Sequence, residues 1–220
     1  MSVIPAAELI TGDDGRPRCA WGAHDAEYRR YHDEEWGTPQ HDPVRLFEKV
    51  CLEGFQAGLS WITILRRRPA FREVFHEFDV ERVAAMNEAD VERLLGDARI
   101  IRHRGKIEAT IQNARATISL DVPLDHLLWN FAPPARSASP RTFAEVPAVT
   151  PESTAMSKTL RGLGFRFVGP TTMYALMQAS GMVDDHLAGC FRAEAAPTAA
   201  RPQGDARAPV SPSAETRAPA

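Results

Sequence analysis

The stretch from Asp42 to Trp61 constrains the fold of this chain most strongly. Asp42 followed by Pro43 is typical of a helix start, because an aspartate caps free backbone amides and proline suits the first helical position. The run that follows, VRLFEKVCLEGFQAGL, predicts a helix with a mostly apolar second half. That half carries one carboxylate, Glu53, and burying a carboxylate is costly unless it is paired or hydrogen-bonded. Glu53 therefore either faces solvent or lies in a pocket that uses its charge.

Helical signals dominate the rest of the chain and predict an all-α fold. Ser60 is expected to cap a second helix, WITILRRR, and Pro69 to open a third. Further helices are predicted over residues 79–87, 88–96, 104–119, 123–130, 152–163 and 170–180. No convincing alternation of apolar and polar residues predicts a strand.

Composition divides the chain into three parts. We predict a weakly ordered extension over residues 1–17, a single helical domain over 18–192 and a disordered tail over 193–220. The tail is rich in alanine and proline and holds too few large apolar side chains to offset the entropy of ordering. No apolar run of about 18 residues and no signal peptide is present, so we expect a cytoplasmic protein with no membrane partner.

The basic residues are distributed unevenly. The formal net charge of −3 argues mildly against a nucleic-acid binder that relies on bulk charge. Nevertheless, basic residues cluster at 66–68, at 99–106, and around Lys158, Arg161 and Arg166. Such clusters are most often solvated faces, and the alternative is contact with phosphate groups.

Four metal-binding residue types lie at the two ends of the predicted domain. Cys19 and His32 are near its start, and His186 and Cys190 are near its end, at a spacing that places both on one face of a helix. Two thiolates and two imidazoles make a tetrahedral zinc shell, which would be structural because no ligand position stays open. The alternative is two core cysteines and two ordinary histidines.

The segment LRGLGFRFVGPTTMYALMQASGM predicts a basic helix end, a short turn and a new helix opened by Pro170. Glycines allow close backbone approach, and the amides at a helix N-terminus attract an anion, so this segment suits a DNA phosphate. A plain corner between two helices of a bundle is the alternative.

Six aromatic residues lie within about 40 positions of one another and are interleaved with Glu53. They are Trp21, Tyr28, Tyr31, Trp36, Phe55 and Trp61. Aromatic residues at this density usually belong to a core, but a flat base can also stack between them.

Together, these residues resemble the DNA-3-methyladenine glycosylase I family. The stretches that carry the resemblance are RCAWGAHDAEYRRYHDEEWGTP, LFEKVCLEGFQAGLSWITILRRR, IIRHRGKIEATIQNARA and GFRFVGPTTMYALMQASGMVDDHLAGC. They extend from about Arg18 to Cys190. The resemblance implies a helix–hairpin–helix DNA glycosylase fold with one bound structural zinc ion.

The resemblance also implies particular site residues. The zinc ligands of the family fall on Cys19, His32, His186 and Cys190. Its base-binding residues fall on Glu53, Tyr28, Tyr31 and Trp61. Its DNA-binding hairpin implies contacts from Phe165, Arg166, Val168, Gly169, Thr171, Lys158 and Arg161.

The implied activity is the removal of 3-methyladenine from alkylated double-stranded DNA by a monomer. A base within a duplex must be flipped out to be reached, and methylation at N3 makes the adenine positively charged and a good leaving group. A tryptophan face attracts a cation, which suits Trp61, and a carboxylate opposes the positive charge, which suits Glu53. The free base 3-methyladenine is the product.

Asp184 is the second candidate catalytic residue, since an aspartate follows the hairpin at a similar distance in the wider superfamily. It either assists the reaction at the sugar or caps the zinc-bearing segment. The hairpin stretch VGPTTMY contains no lysine, which predicts a monofunctional hydrolase that leaves an abasic site.

Two functions of other classes remain open at this level. One is a zinc-stabilised helical module that binds damaged DNA without excising a base. The other is a helical protein-interaction domain, in which all the aromatic residues would belong to the core.

Overall fold

The computed structural model describes residues 8–193, and this part of the chain is mostly helical, as predicted. The helices are α1 Ala26–Glu34, α2 Pro43–Gln56, α3 Trp61–Val74, α4 Val80–Ala84, α5 Glu88–Gly96, α6 Arg104–Ile118, α7 Leu124–Trp129, α8 Pro151–Gly162 and α9 Pro170–Ala179. Two short strands, β1 Leu9–Thr11 and β2 Pro17–Cys19, pair in antiparallel register. Within residues 8–193, no helix is both long and apolar enough to cross a membrane.

The strand pair is the first difference from the sequence prediction, which placed residues up to 17 in a weakly ordered extension. Gly15 closes the turn at a φ of 75°, a conformation that suits glycine, and Arg18 binds the Asp14 carboxylate at 2.8 Å. Strands of three residues are too short to show an alternating pattern. The predicted limits of the domain otherwise stay predictions, because residues 1–7 and 194–220 lie outside the described part.

The second difference is that Pro69 does not open a new helix but lies inside α3. Proline removes one backbone hydrogen bond and disfavours a helix interior. The helix continues nevertheless, because its last turns bury Phe71 and Val74 in the core. Local sequence rules for proline were therefore overridden by tertiary packing.

Helix α2 lies at the centre of the domain. Its start follows the predicted pattern, with the Asp42 side chain accepting a hydrogen bond from the Arg45 amide at 2.9 Å. Residues 46–55 are all buried, since α2 packs against α3, α6, α7 and α9. Glu53 is therefore inside the protein rather than on its surface.

A short turn after α2 brings α3 back beside it. Gly58 has a φ of 81°, and the Lys106 ammonium of α6 donates hydrogen bonds to the carbonyls of Phe55 at 2.8 Å and Ala57 at 2.6 Å. These bonds satisfy carbonyl groups at the end of α2 that have no partner within the helix. As a result, Trp61 opens α3 close to the end of α2.

Helices α8 and α9 pack against each other and are joined by residues 163–169. The Asn113 side chain of α6 holds this loop, because it accepts from the Arg166 amide at 2.7 Å and donates to the Arg166 carbonyl at 3.2 Å. Gly169 precedes Pro170 at the start of α9, as the sequence predicted.

Gly181 is a site where the fold tolerates no side chain. Its φ is 68°, and a Cβ atom there would lie 2.4 Å from the Pro39 nitrogen. We expect Gly181→Ala to lower the free energy of unfolding in urea by about 3 kcal/mol or more, from backbone strain plus the clash. Gly162→Ala is the control, because a Cβ atom meets nothing within 4 Å there. Equal stability of the two variants would contradict the described packing.

Candidate base pocket and metal centre

Glu53 is the chemically unusual residue of the core. Its side chain is on the buried face of α2, only 4% exposed, and within residues 8–193 its Oε2 atom has no hydrogen-bond partner. Burial raises the pKa of the Glu53 carboxyl from its ordinary 4.5 to about 8, and the positive charge of Lys49 offsets this only in part. The Oε2 atom of Glu53 is thus a buried oxygen that neither water nor another described residue satisfies.

Two aromatic side chains, Tyr31 and Trp61, belong to the same site as this carboxyl. Tyr31 is buried, and its ring centroid lies 5.6 Å from that of Trp61. Burial raises the pKa of the Tyr31 hydroxyl well above its usual range, and the carboxylates of Glu53 and Glu35 add to the shift. In the described part of the chain, the indole Nε1 of Trp61 has no partner either. Two unpaired polar atoms, one acceptor and one donor, therefore occur in one aromatic cluster.

Tyr28 fixes the relative position of α1 and α3 at this point. Its hydroxyl accepts a hydrogen bond from the Ile62 amide at 3.1 Å, next to Trp61. The structure thus brings together all four residues that the sequence resemblance placed in a base pocket. Their roles there stay predictions.

A second cluster of side chains suits a metal ion. The ligand atoms of Cys19, His32 and Cys190 all lie within 4.8 Å of one another, and the three residues are buried. His186 lies beside them, with its ring centroid 4.9 Å from that of His32. Hydrogen bonds from Cys19 and His32 lower the pKa of the Cys190 thiol, which favours the thiolate that metals bind.

Carboxylates orient both imidazoles of this cluster. His32 Nδ1 lies 2.8 Å from Asp33, and His186 Nδ1 lies 2.7 Å from Asp184. The Nε2 of His32 then faces the Cys190 sulfur at 3.4 Å, and that of His186 is buried without a partner among the described residues. The sequence analysis did not single out Asp33, although its position directly after His32 was a usable signal.

The local structure around His186 differs from the expected one. We expected the spacing of His186 and Cys190 to place them on one helical face, but both lie in irregular chain after α9. A turn with Gly189 at a φ of 89° brings Cys190 back toward the cluster instead. Asp184 lies at the edge of this cluster, where it also accepts from the His186 amide at 3.0 Å.

Two tryptophans connect the metal cluster to the base pocket. Trp21 contacts the Tyr28 ring at 5.6 Å and the His32 ring at 5.2 Å, measured between centroids. Trp36 lies 5.1 Å from Trp21 and 4.6 Å from His186. The two clusters therefore share an aromatic wall.

The predicted DNA contacts lie on the end of α8, the loop that follows and the start of α9, and their side chains differ in exposure. The side chains of Phe165 and Val168 are buried in the core, so only their backbone is available to a ligand. The predicted residues with exposed side chains are Lys158, Arg161, Arg166 and Thr171. The three cations among them form no ion pair within residues 8–193.

Comparison with known proteins gives one consistent family. A model of the methyladenine glycosylase family matches residues 21–193. The DNA-3-methyladenine glycosylase 1 of Escherichia coli is 51% identical over 179 residues, which cover 79% of this chain and 95% of that protein.

Solved structures agree with this match. A crystal structure of a 3-methyladenine DNA glycosylase I has a TM-score of 0.76 at 49% identity, covering 79% of this chain and 98% of the other. The 3-methyladenine DNA glycosylase I of Staphylococcus aureus, solved to explain its recognition of 3-methyladenine, has a TM-score of 0.76 at 34% identity. That alignment covers 80% of this chain and 96% of the other.

The raised pKa of Glu53 has a measurable consequence for stability. Between pH 4.5 and about 8 the folded protein keeps a proton on Glu53 that the unfolded chain releases, so the free energy of unfolding falls as the pH rises. The slope from this group is at most about 1.4 kcal/mol per pH unit. Glu53→Gln has no such proton to lose.

We therefore expect Glu53→Gln to be more stable than the wild type, with a gain that grows from pH 5 to pH 8. Urea denaturation of both proteins at the two pH values measures this. Because each pair is compared at one pH, the titration of other groups cancels. A gain that is the same at both pH values would contradict the buried, proton-binding state of Glu53.

Proposed function

The chain belongs to the methyladenine glycosylase family, and we propose that it is a monofunctional DNA glycosylase. It flips 3-methyladenine out of alkylated double-stranded DNA and releases the base by hydrolysis, which leaves an abasic site. The observation that supports this most strongly is the buried Oε2 of Glu53, which has no partner within residues 8–193 and belongs to a carboxyl close to Tyr31, itself beside Trp61. A carboxyl group without a partner among aromatic rings suits a flat, positively charged base.

Glu53 distinguishes the positively charged methylated base from neutral adenine. Methylation at N3 makes the base positive, so its arrival favours the ionised form of the carboxyl. Because the pKa of Glu53 is about 8 in the empty pocket, ionisation at pH 7 costs only about 1.4 kcal/mol. The ionised oxygen then accepts a hydrogen bond from the exocyclic amine and opposes the positive charge. Normal adenine is neutral and gains neither charge interaction.

The aromatic residues supply the shape of the pocket. The face of Trp61 attracts a positively charged ring, and the Tyr28 and Tyr31 rings complete the walls. A methylated, cationic base is already a good leaving group, so little general-acid help is needed to break its glycosidic bond. Selectivity therefore resides in binding the base rather than in protonating it.

The segment from α8 to α9 suits a helix–hairpin–helix contact with the DNA backbone. The amides at the start of α9, after Gly169, point toward solvent and attract a phosphate. Exposed Lys158, Arg161 and Arg166 flank this position and add positive charge. No lysine occurs in VGPTTMY, so no amine is available there for a covalent bond to the sugar.

The donor set of the metal cluster fits a structural zinc ion. Cys19, His32, His186 and Cys190 would hold it. The Nε2 of His186, which has no partner within residues 8–193, and the Nε2 of His32, which faces the Cys190 sulfur at 3.4 Å, support this assignment. Four protein ligands leave no position for water, so zinc here joins the start and end of the domain and takes no part in the reaction. Asp184 then serves as a positioning residue that orients His186.

Release of the base tests the activity. Incubation with methylated DNA, followed by chromatography, is expected to yield 3-methyladenine and little 7-methylguanine. Glu53→Gln should lower the single-turnover rate by about 10- to 100-fold, because a hydrogen bond to a charged group is lost. Since this variant is expected to be more stable than the wild type, its loss of activity is not explained by unfolding.

The other outcomes separate the alternatives. Tight binding to methylated DNA without release of any base would instead favour a module that only binds damage. Strand cleavage that borohydride traps as a protein–DNA adduct would overturn the monofunctional assignment.

Metal analysis tests zinc and Asp184 together. We expect about one zinc ion per chain, and much less in Cys190→Ser. Asp184→Asn should release zinc to a chelator at least about tenfold faster, while its single-turnover excision rate falls less than about tenfold. A larger fall in the rate with zinc fully retained would make Asp184 a catalytic residue instead.

A further inference from the structure

A charged cavity lies directly behind the base pocket. Its volume is about 210 Å³, and Trp61 belongs to the lining of this cavity as well as to the aromatic cluster. Two carboxylates and four cations also line it, and the sequence analysis assigned a role to none of them: Glu35, Glu48, Arg45, Lys49, Arg68 and Arg72. Charges this close to a pocket for a cationic base either help or oppose its binding.

Glu35 binds the two cations of this set that are most deeply buried. Its carboxylate accepts from the Lys49 ammonium at 2.7 Å and from the Arg68 guanidinium at 2.8 Å, and both cationic side chains are only 9% exposed. Burial by itself would raise the pKa of Glu35, but Lys49 and Arg68 together lower it to about 2. Glu35 is therefore ionised and neutralises positive charge at this point.

Lys49 is the cation in direct reach of the base pocket. It precedes Glu53 by four residues on α2, so the two side chains share one face of the helix. Its ammonium also lies 5.9 Å from the centroid of the Tyr31 ring. The Lys49 ammonium is bound to Glu35, and no described residue forms a hydrogen bond with the Oε2 of Glu53.

We propose that Glu35 is a specificity-determining residue, which lets the pocket accept a positively charged base by holding and neutralising Lys49 behind Tyr31. Without Glu35, Lys49 would be free to pair with Glu53, the next carboxylate on its own helix face. That pair would occupy the oxygen that receives the base. The remaining positive charge would also repel a cationic base across only a few ångströms of low-dielectric interior. This inference rests on the proposed function.

Glu48 offers a matched control in the same cavity. It is more deeply buried than Glu35, with its side chain 4% rather than 26% exposed. It lies 3.9 Å from Arg68, which has shorter bonds to Glu35, and it binds two further arginines, Arg72 at 2.9 Å and Arg45 at 3.0 Å. Neither arginine contacts an aromatic residue of the pocket through a described hydrogen bond or cation–π contact. Glu48→Gln thus removes a similar buried carboxylate without releasing a cation toward Glu53.

The experiment measures single-turnover release of 3-methyladenine from methylated DNA by the full chain and three variants. We expect Glu35→Gln to be at least about tenfold slower than the wild type. The double variant Glu35→Gln/Lys49→Met should recover to within about threefold of the wild type, because Lys49 is gone and Arg68 still has a carboxylate partner in Glu48 at 3.9 Å. Glu48→Gln should remain within about threefold of the wild type, and zinc content and urea denaturation confirm that each variant is folded.

The remaining outcomes are distinguishable. A folded Glu35→Gln variant with the wild-type rate overturns the inference, and so does a slow double variant, because loss of activity that Lys49→Met does not repair is structural. An equal loss in Glu48→Gln also overturns it. If the wild type itself releases no base, the proposed function fails rather than this inference.

Discussion

The desolvation of one carboxyl group governs the organisation of the site. Glu53 lies within a run of buried residues in α2, where water does not stabilise its charge. Such a group is costly to fold around unless it meets a charge of opposite sign, and its elevated pKa expresses that cost. The surrounding elements provide aromatic faces rather than permanent ionic partners. A pocket of this kind suits the positively charged base of the proposed function.

The burial of Glu53 also explains the importance of the charged residues one helical turn away on α2. Lys49 precedes Glu53 by four residues on α2, a spacing that suits an ion pair which would occupy the carboxyl. Glu35 prevents this by binding the ammonium from the end of α1. On a surface, the Glu35–Lys49 salt bridge would only stabilise the fold. Here it also leaves the Glu53 carboxyl available to a ligand.

Local sequence signals were sufficient for most of the helices but not for the site. The Asp42–Pro43 start of α2 could be read directly, since capping and proline geometry act over a few residues. The burial of Glu53 could not, because it depends on how α3, α6, α7 and α9 pack around α2. The same applies to the Glu35–Lys49 pair, whose members are 14 positions apart and follow no common period.

Pattern rules failed where packing or chain ends dominated. Pro69 by itself predicts a helix start, yet the burial of Phe71 and Val74 keeps α3 continuous. The residues resembling zinc ligands were identified by type, but the helical spacing expected for His186 and Cys190 was wrong. Irregular chain achieves the same convergence, because a glycine turn supplies a geometry that no periodic pattern encodes.

The aromatic wall shared by the two clusters has a consequence for how the protein is made. Trp36 touches His186, and Cys190 meets Cys19 and His32 across about 160 residues of chain. On the ribosome, the first half of the pocket is synthesised long before the residues that brace it. Pairing of such distant segments is slow, so assembly of the pocket belongs to the last stage of folding. A nascent chain that ends between residues 180 and 185 holds all nine of the described helices but lacks the His186 contact with this wall.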